Sequence, residues 1–365
     1  MTIYFFNIVL TSVLARLAQS RGEGNINKRK WMNLFSFLIL LTWVLIYSFR
    51  ALRVGGDTSG YKVQYDWIQN RGFSLEFNLA YQRDIGFAFI QYICSKITNG
   101  NWFVYQFVMA LLTYVPIIRI YYKHSSDFRL ALLLYIFTLC FYHGFNGTRQ
   151  SIAVGLCLLA FYDGLKERKW VKYFLTMLIA YSFHSTVLLV LPFHFYVAFK
   201  KDKRDSQIIL ILLVGVLSYF LLGGVWSRVI SLLDSVGQDK LAADYSTFSG
   251  HGSSVVRTVV SYAPVLAILS VKREIRNRII DDDELMMIVF ATHFTLLSQK
   301  NWIFARMGLY FSIFIPIVLP KYINIYANNV RQTYRLFICT LYFLYMVFLL
   351  LHGEGQYYPY SFYYN

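Results

Sequence analysis

Apolar runs that are each about as long as a bilayer is thick dominate this sequence, and short polar segments separate them. Runs of about 18 apolar residues are typical of membrane-spanning helices, because the hydrocarbon core of a bilayer is about 30 Å thick. Of the 365 residues, 57% are hydrophobic and only 15% are charged, whereas a soluble domain carries about 25% charged residues. The sequence therefore excludes an ordinary soluble enzyme. It predicts an all-α, polytopic membrane protein with a single transmembrane domain over residues 1–365.

Twelve of these runs are predicted to cross the bilayer, and a thirteenth is shorter. The short run covers residues 85–97, with Asp84 before it and Lys96 near its end. The twelve longer runs lie at residues 2–18, 31–49, 101–122, 128–145, 148–165, 170–183, 185–199, 206–225, 255–271, 285–299, 302–320 and 334–352.

The distribution of Lys and Arg predicts how these runs are oriented. Of the 35 basic residues, 23 lie at Arg16 or within residues 19–30, 119–129, 166–172, 200–204, 272–284 and 321–335. If these segments are cytoplasmic, the chain follows the positive-inside rule. Residues 85–97 must then form a re-entrant or interfacial helix, which leaves about twelve crossings and two periplasmic loops, residues 50–83 and 226–254. Because the formal charge of +16 records orientation in such a protein, no nucleic-acid partner is expected.

The stretch "FYHGFNGTRQSIAVGLCLLAFY" places polar residues inside an apolar run, namely His143, Asn146, Arg149 and Gln150. An arginine at the centre of a bilayer helix costs about 2.5–3.5 kcal/mol, so it belongs at a membrane face or has a function. Asn146 predicts a turn and Thr148 a helix cap, with Arg149 in the first turn that follows. Backbone N–H groups and a guanidinium at such a position suit a phosphate. The alternative is an arginine that reaches the lipid headgroups.

Other candidate residues lie near the predicted outer ends of helices. His184 lies where two short runs meet, and Arg306 lies about one turn below the outer edge, where an arginine usually faces a cavity or a partner. The outer segments add Arg53, Asp57, Asp84 and Arg257. A hydroxyl nucleophile needs a base, for which Asp57, Asp84 and His184 are the candidates. The alternatives to a functional role are that His184 only ends a helix, that Arg306 is paired with an acid, and that the charged loop residues are solvated.

Several classes of chemistry have no motif in the sequence. No P-loop, GxSxG, HExxH or CxxC pattern is present, and the four cysteines lie inside apolar runs without the spacing of metal ligands. ATP-driven transport and thiol chemistry therefore have no support. Neither a metal nor a cofactor is expected.

An ordered set of motifs runs along the chain. A loop with Arg, Asp and Tyr follows the second run, and an Asp–x–Gly–Phe element begins at Asp84. "FNGTRQSIAVGLCLLAF", "FHSTVLL" and "RMGLYFSIFIPIVLP" come next. This order and spacing resembles the EpsG family of bacterial exopolysaccharide proteins, which are Wzy-like O-antigen polymerases.

The resemblance implies a metal-independent glycosyltransferase with an all-helical membrane fold of the GT-C type. It implies a multi-pass protein of the bacterial inner membrane whose active site faces the periplasm. The enzyme would transfer a glycan from undecaprenyl diphosphate onto a lipid-linked repeat unit, with a chain-length regulator as a candidate partner. Arg149 and Arg306, with Arg257 or Arg53 behind them, would bind diphosphate, together with His143, Asn146 and Gln150.

Three alternatives stay open at this point. A lipid-linked oligosaccharide flippase or exporter would also need cations for a diphosphate, but charges in both halves of the bilayer. A membrane acyltransferase would place a His–Asp pair within reach of a cytoplasmic acyl donor. An O-antigen ligase would share most of the polymerase chemistry.

Overall fold

A computed structural model of the chain describes residues 1–20, 33–75, 84–200, 205–235 and 252–363. In these ranges the regular structure is helical, apart from one isolated antiparallel bridge between Arg50 and Phe362. The prediction of an all-α protein is confirmed. The chain forms two compact units, Met1–His194 with Tyr326–Asn365, and Phe195–Ile325.

The first unit contains ten α-helices in its described residues. They are α1 (Thr2–Ser20), α2 (Leu34–Ser48), α3 (Thr58–Arg71), α4 (Ile85–Ile97), α5 (Trp102–His124), α6 (Phe128–Phe137), α7 (Cys140–Asn146), α8 (Thr148–Ala160), α9 (Trp170–Phe183) and, near the C-terminus, α16 (Asn328–Leu351). A π-helix, Phe161–Lys166, continues α8, and a 3₁₀ helix, Ser185–Val190, follows α9.

The second unit is also helical where it is described. Its helices are α10 (Leu191–Phe199, which begins in the first unit), α11 (Asp205–Ser235), α12 (Val255–Leu269), the short α13 (Arg273–Arg276), α14 (Asp282–Leu297), α15 (Ile303–Ser312) and the last helix of the unit, Ile315–Ile323. Residues 226–235, which the charge pattern assigned to a periplasmic loop, continue α11. Residues 236–251 of that loop, like residues 76–83 of the first loop, lie outside the described ranges.

Length and composition support a membrane protein. Four described helices are long and apolar enough to cross a bilayer, and two bent pairs, Phe128–Phe137 with Cys140–Asn146 and Ile303–Ser312 with Ile315–Ile323, raise this number to six. Outward-facing side chains are apolar too: Phe5, Phe6 and Val9 of α1 are 50%, 52% and 60% exposed. Such apolar surface is typical of a chain that contacts lipid. The count of twelve crossings and the GT-C fold stay predictions.

Aromatic packing forms the centre of the first unit. Trp43 of α2 is fully buried, and its ring centroid lies 5.5 Å from that of Tyr114 and 5.1 Å from that of Phe141. Its indole N–H donates to Thr11 Oγ1 over 2.9 Å, which joins α2 to α1. This satisfied donor lets the largest side chain of the core be buried without an unpaired polar atom.

A break between α6 and α7 sets up the segment that carries Arg149. The two helices meet at an angle of 46°, and Leu139 between them has a φ of 61°. A leucine in the left-handed region is strained, so the surrounding packing must hold the bend in place. The bend directs α7 into the junction with α8 at Gly147.

The C-terminal tail fixes the glycine loop that follows α2. Ala51 N–H donates to the Ser361 carbonyl over 2.8 Å, and Gly55 N–H donates to the Gln356 carbonyl over 3.0 Å. Gly55 has a φ of 88°, and a Cβ there would lie 2.6 Å from the Phe145 carbonyl oxygen. Only glycine fits at this position, where the loop passes directly over the end of α7.

Candidate functional site

Asp84 owes its position to a close approach between α4 and α9. Asp84 is the residue that precedes α4, and its side chain does not cap that helix. Two residues later, a Cβ on Gly86 would lie 2.2 Å from Ser182 Oγ and 3.0 Å from the Ser182 carbonyl oxygen. The missing side chain of Gly86 therefore brings the start of α4 against the last turn of α9. His184 follows directly after that turn.

The Asp84 carboxylate bridges an arginine and a histidine. Arg149 Nη1 donates to Asp84 Oδ2 over 2.7 Å. His184 Nδ1 lies 3.5 Å from the same oxygen, at the outer limit of a hydrogen bond. The Asp84 and His184 side chains are mostly buried, at 10% and 16% exposed, while that of Arg149 is 37% exposed. The guanidinium is thus anchored on one side and open on the other.

The start of α8 holds the arginine where the sequence predicted it. Arg149 and Gln150 lie in the first turn of α8, and Gln150 is buried. The prediction that Thr148 caps the helix was wrong, because Gly147 is the capping residue and makes no side-chain cap. Thr148 Oγ1 instead donates to the Gly144 carbonyl over 2.9 Å and lies 2.7 Å from the Tyr47 hydroxyl. Thr148, at the start of α8, therefore connects this helix to α7 and α2.

Two aromatic rings orient the Arg149 guanidinium. Its Cζ lies 5.9 Å from the ring centroids of both Tyr61 and Phe87, within the range of a cation–π contact. Burial raises the pKa of the Tyr61 hydroxyl to about 12, a rise that the charge of Arg149 opposes and that of Asp57 increases. Tyr61 is therefore a neutral hydroxyl beside the guanidinium at physiological pH.

Asp57 joins the same cluster through Asn146. The backbone N–H of Asp57 donates to Asn146 Oδ1 over 2.8 Å. Asn146 closes α7, three residues before Arg149. The Asp57 carboxylate is half-buried and does not cap α3. In the described part of the chain, no side chain donates a hydrogen bond to it.

Arg50, which is not among the residues predicted from the sequence, holds the loop that follows α2. Arg50 is fully buried. Its Nη1 donates to the Tyr47 carbonyl over 2.6 Å, its Nη2 donates to the Phe145 carbonyl over 3.4 Å, and its Cζ lies 3.8 Å from the Tyr47 ring centroid. A cation that follows the end of a helix and meets carbonyls there is favoured by the helix dipole. The position of Arg50 two residues after α2 was the available signal.

The other predicted residues divide between the cluster and its surroundings. His143 lies against the α7–α8 junction, since a Cβ on Gly147 would come 2.6 Å from His143 Nε2. Arg53 is exposed and its Nε donates to Ser361 Oγ over 2.9 Å, so it faces the tail. Arg257 and Arg306 belong to the second unit, where the Arg306 Cζ lies 4.0 Å from the Trp302 ring centroid.

The first unit therefore brings five of the predicted site residues together, although up to 127 positions separate them in the sequence. They are Asp57, Asp84, Asn146, Arg149 and His184.

The sequence pattern that defines the EpsG family matches residues 32–362 of the chain. The chain belongs to the EpsG family. EpsG family members are Wzy-like polymerases, so the resemblance seen in the motifs is confirmed. No curated protein sequence and no solved structure matches the chain.

The arrangement suits group transfer from an anionic leaving group. An anchored guanidinium with an open side can donate hydrogen bonds to phosphate oxygens. A carboxylate with no hydrogen-bond donor among the described side chains can accept a proton, and it lies close enough to act on the charge state of Tyr61.

Proposed function

We propose that the chain is a polysaccharide polymerase of the exopolysaccharide or O-antigen type. It transfers a glycan from undecaprenyl diphosphate onto a lipid-linked repeat unit at the periplasmic face of the inner membrane. The observation that carries the proposal is the cluster around Arg149, in a member of a family of Wzy-like polymerases.

Arg149 is suited to the diphosphate because its guanidinium is only partly used. Nη1 is paired with Asp84, whereas the side chain as a whole is 37% exposed. A diphosphate oxygen that enters from the open side would accept from the exposed N–H groups of the guanidinium. The charge of Arg149 would then stabilise the leaving group as the sugar–oxygen bond breaks.

The structure favours Asp57 over Asp84 as the general base. Asp84 Oδ2 already accepts from Arg149 and is approached by His184, so this oxygen is not available to an acceptor hydroxyl. The Asp57 carboxylate accepts no hydrogen bond from a described side chain. Asp84 is thus assigned to positioning Arg149 and His184.

The proposed step balances as a single displacement. Asp57 takes the proton of an acceptor hydroxyl, and that oxygen forms a bond to the anomeric carbon of the donor glycan. The bond between that carbon and the diphosphate oxygen breaks, and undecaprenyl diphosphate leaves beside Arg149. The energy comes from the sugar–diphosphate bond, so the step needs no nucleotide. We propose that it also needs no metal.

A flippase or exporter is the main alternative. It would hold the diphosphate while the lipid crosses the bilayer, and it would leave every covalent bond intact. The placement of a proton acceptor and a phosphate-binding group in one cluster favours bond-making chemistry. An O-antigen ligase would use the same groups with a different acceptor.

Substitution of Arg149 tests the proposal in cells that lack the native gene. Arg149→Lys keeps the charge and loses the planar fork, so we expect it to lose most polymerisation, and Arg149→Ala to lose nearly all. Arg71→Lys is the matched control, because Arg71 is an exposed arginine on α3. The readout is the polysaccharide ladder on a gel, with expression checked by blot. A fully active Arg149→Lys protein would show that Arg149 only anchors the chain at the membrane face.

A further inference from the structure

A cavity in the first unit is lined by three arginines and one acid. Its volume is about 690 Å³, within the range of about 300–1,000 Å³ that is usual for ligand sites. It lies where the end of α1 meets the starts of α6 and α16. Its charged side chains are Arg16, Arg129, Arg335 and Asp127.

The single acid of the cavity is already used. Asp127 Oδ1 accepts from the Leu130 N–H over 3.0 Å and so caps α6, and Asp127 Oδ2 lies 3.0 Å from Arg335 Nε. Arg129 Nε donates to the neutral Ser12 Oγ over 2.8 Å. Among the described residues, neither Arg16 nor Arg129 is paired with a carboxylate. The cavity therefore has two positive charges in excess.

An apolar wall continues from the charged end. It consists of Ile8, Leu130, Leu133, Phe137 and Leu336. From Ile8 to Arg16, which carries the first charge, the α1 lining covers about 12 Å along the helix axis. One leaflet of the hydrocarbon core is about 15 Å thick. The cavity is thus cationic at one end and apolar over most of the depth of one leaflet.

The cavity and the Arg149 cluster lie at opposite ends of the unit. Gln332 and Arg335, near the start of α16, line the cavity. The tail after the end of α16 pairs with the loop at residues 49–56, beside the Arg149 cluster. From Arg335 to Leu351, the last residue of α16, the helix is about 24 Å long. The cavity is at the end that the basic segments assign to the cytoplasm.

We propose that this cavity binds an anionic phospholipid of the inner leaflet. The guanidinium groups of Arg16 and Arg129 hold the phosphate, and an acyl chain lies along the apolar wall. Arginine binds phosphate oxygens through paired donors, and basic pockets between helices on the cytoplasmic side suit anionic headgroups. The excess charge distinguishes this lipid from a zwitterionic one, and the wall distinguishes it from a soluble phosphate.

The test measures lipid binding to the full-length protein in detergent by native mass spectrometry. The probes are dioleoylphosphatidylglycerol, dioleoylphosphatidylcholine and glycerol 3-phosphate. Each basic residue near an anionic headgroup strengthens binding about fivefold, so we expect Arg16→Ala with Arg129→Ala to bind phosphatidylglycerol about 30-fold more weakly. The double variant Lys272→Ala with Arg278→Ala removes the same charge from the second unit and should bind as the wild type does.

A second variant keeps the test decisive if the double alanine variant fails to fold. Ser12→Asp places a carboxylate beside Arg129, which supports the local structure and neutralises one excess charge, and it should weaken phosphatidylglycerol binding about fivefold. The proposal is overturned if both cavity variants bind phosphatidylglycerol like the wild type, or if phosphatidylcholine binds equally well. It is also overturned if glycerol 3-phosphate binds as tightly, because the ligand would then be a soluble phosphate.

Discussion

Gly86→Ala perturbs the contact that places Asp84. The new Cβ would lie 2.2 Å from Ser182 Oγ, 2.9 Å from Ser182 Cβ and 3.0 Å from its carbonyl oxygen, while ordinary contact begins at 3.4 Å. The hydroxyl can rotate away, but the Cβ and the carbonyl cannot. To lengthen the distance between the new Cβ and Ser182 Cβ from 2.9 Å to 3.4 Å, α4 and α9 must separate by about 0.5 Å.

This separation acts directly on the cluster. Asp84 is two residues from Gly86, and its contact with His184 is already 3.5 Å long, so the contact is lost when the helices separate. A misplacement of about 1 Å in a catalytic site costs about 100-fold in rate. At half that displacement, we expect the polymerisation rate to fall about tenfold while the protein still inserts normally.

The assay is the rate of ladder formation by purified variants, with amounts matched by blot. Gly60→Ala is the control, since a Cβ at Gly60 meets nothing within 4 Å and alanine favours the helix α3. Adding Ser182→Gly to Gly86→Ala removes two of the three clashing atoms and should restore part of the rate. Wild-type activity of Gly86→Ala would refute the claim that this approach of α4 to α9 positions the site.

The remaining predictions concern the base and the orientation. Asp57→Asn should lower the polymerisation rate about 100-fold or more, because it removes the proton acceptor. Asp84→Asn should cost less, because it removes only the group that positions Arg149. Equal losses of polymerisation rate in the two variants would show that Asp57 is not the better candidate for the base. Cysteines introduced at positions 57, 147 and 184 should react with an impermeant thiol reagent from the periplasm, and those at 167 and 276 should not. Labelling of position 167 from outside would reverse the orientation.

The helices of this chain could be predicted because each apolar run is a local signal. The run predicted at 101–122 is α5, Trp102–His124, and the short run at 85–97 is α4 with the same bounds. Helix α3 was missed because its sequence is polar, although its buried residues Tyr61, Tyr65 and Ile68 have the spacing of one helix face.

The candidate site was predictable as a set of residues but not as an arrangement. Arg149 could be placed in the first turn of a helix because Asn146 and Gly147 indicate a turn of the chain directly before that helix. Its pairing with Asp84, 65 positions earlier, depends on how α4 packs against α9. Sequence spacing carries no information on that packing. The separation of roles between Asp57 and Asp84 follows from the pairing, so the sequence alone left both as candidate bases.

Incubation of the purified protein with a lipid-linked repeat unit tests whether the protein is a polysaccharide polymerase. The reaction is run with a metal chelator present, and the products are separated on a gel while released undecaprenyl diphosphate is measured. We expect a ladder of glycans on lipid, with one undecaprenyl diphosphate released for each bond formed, and no ladder from Arg149→Ala. An unchanged substrate, with no ladder and no released diphosphate, would rule out polymerase activity and leave the flippase as the alternative.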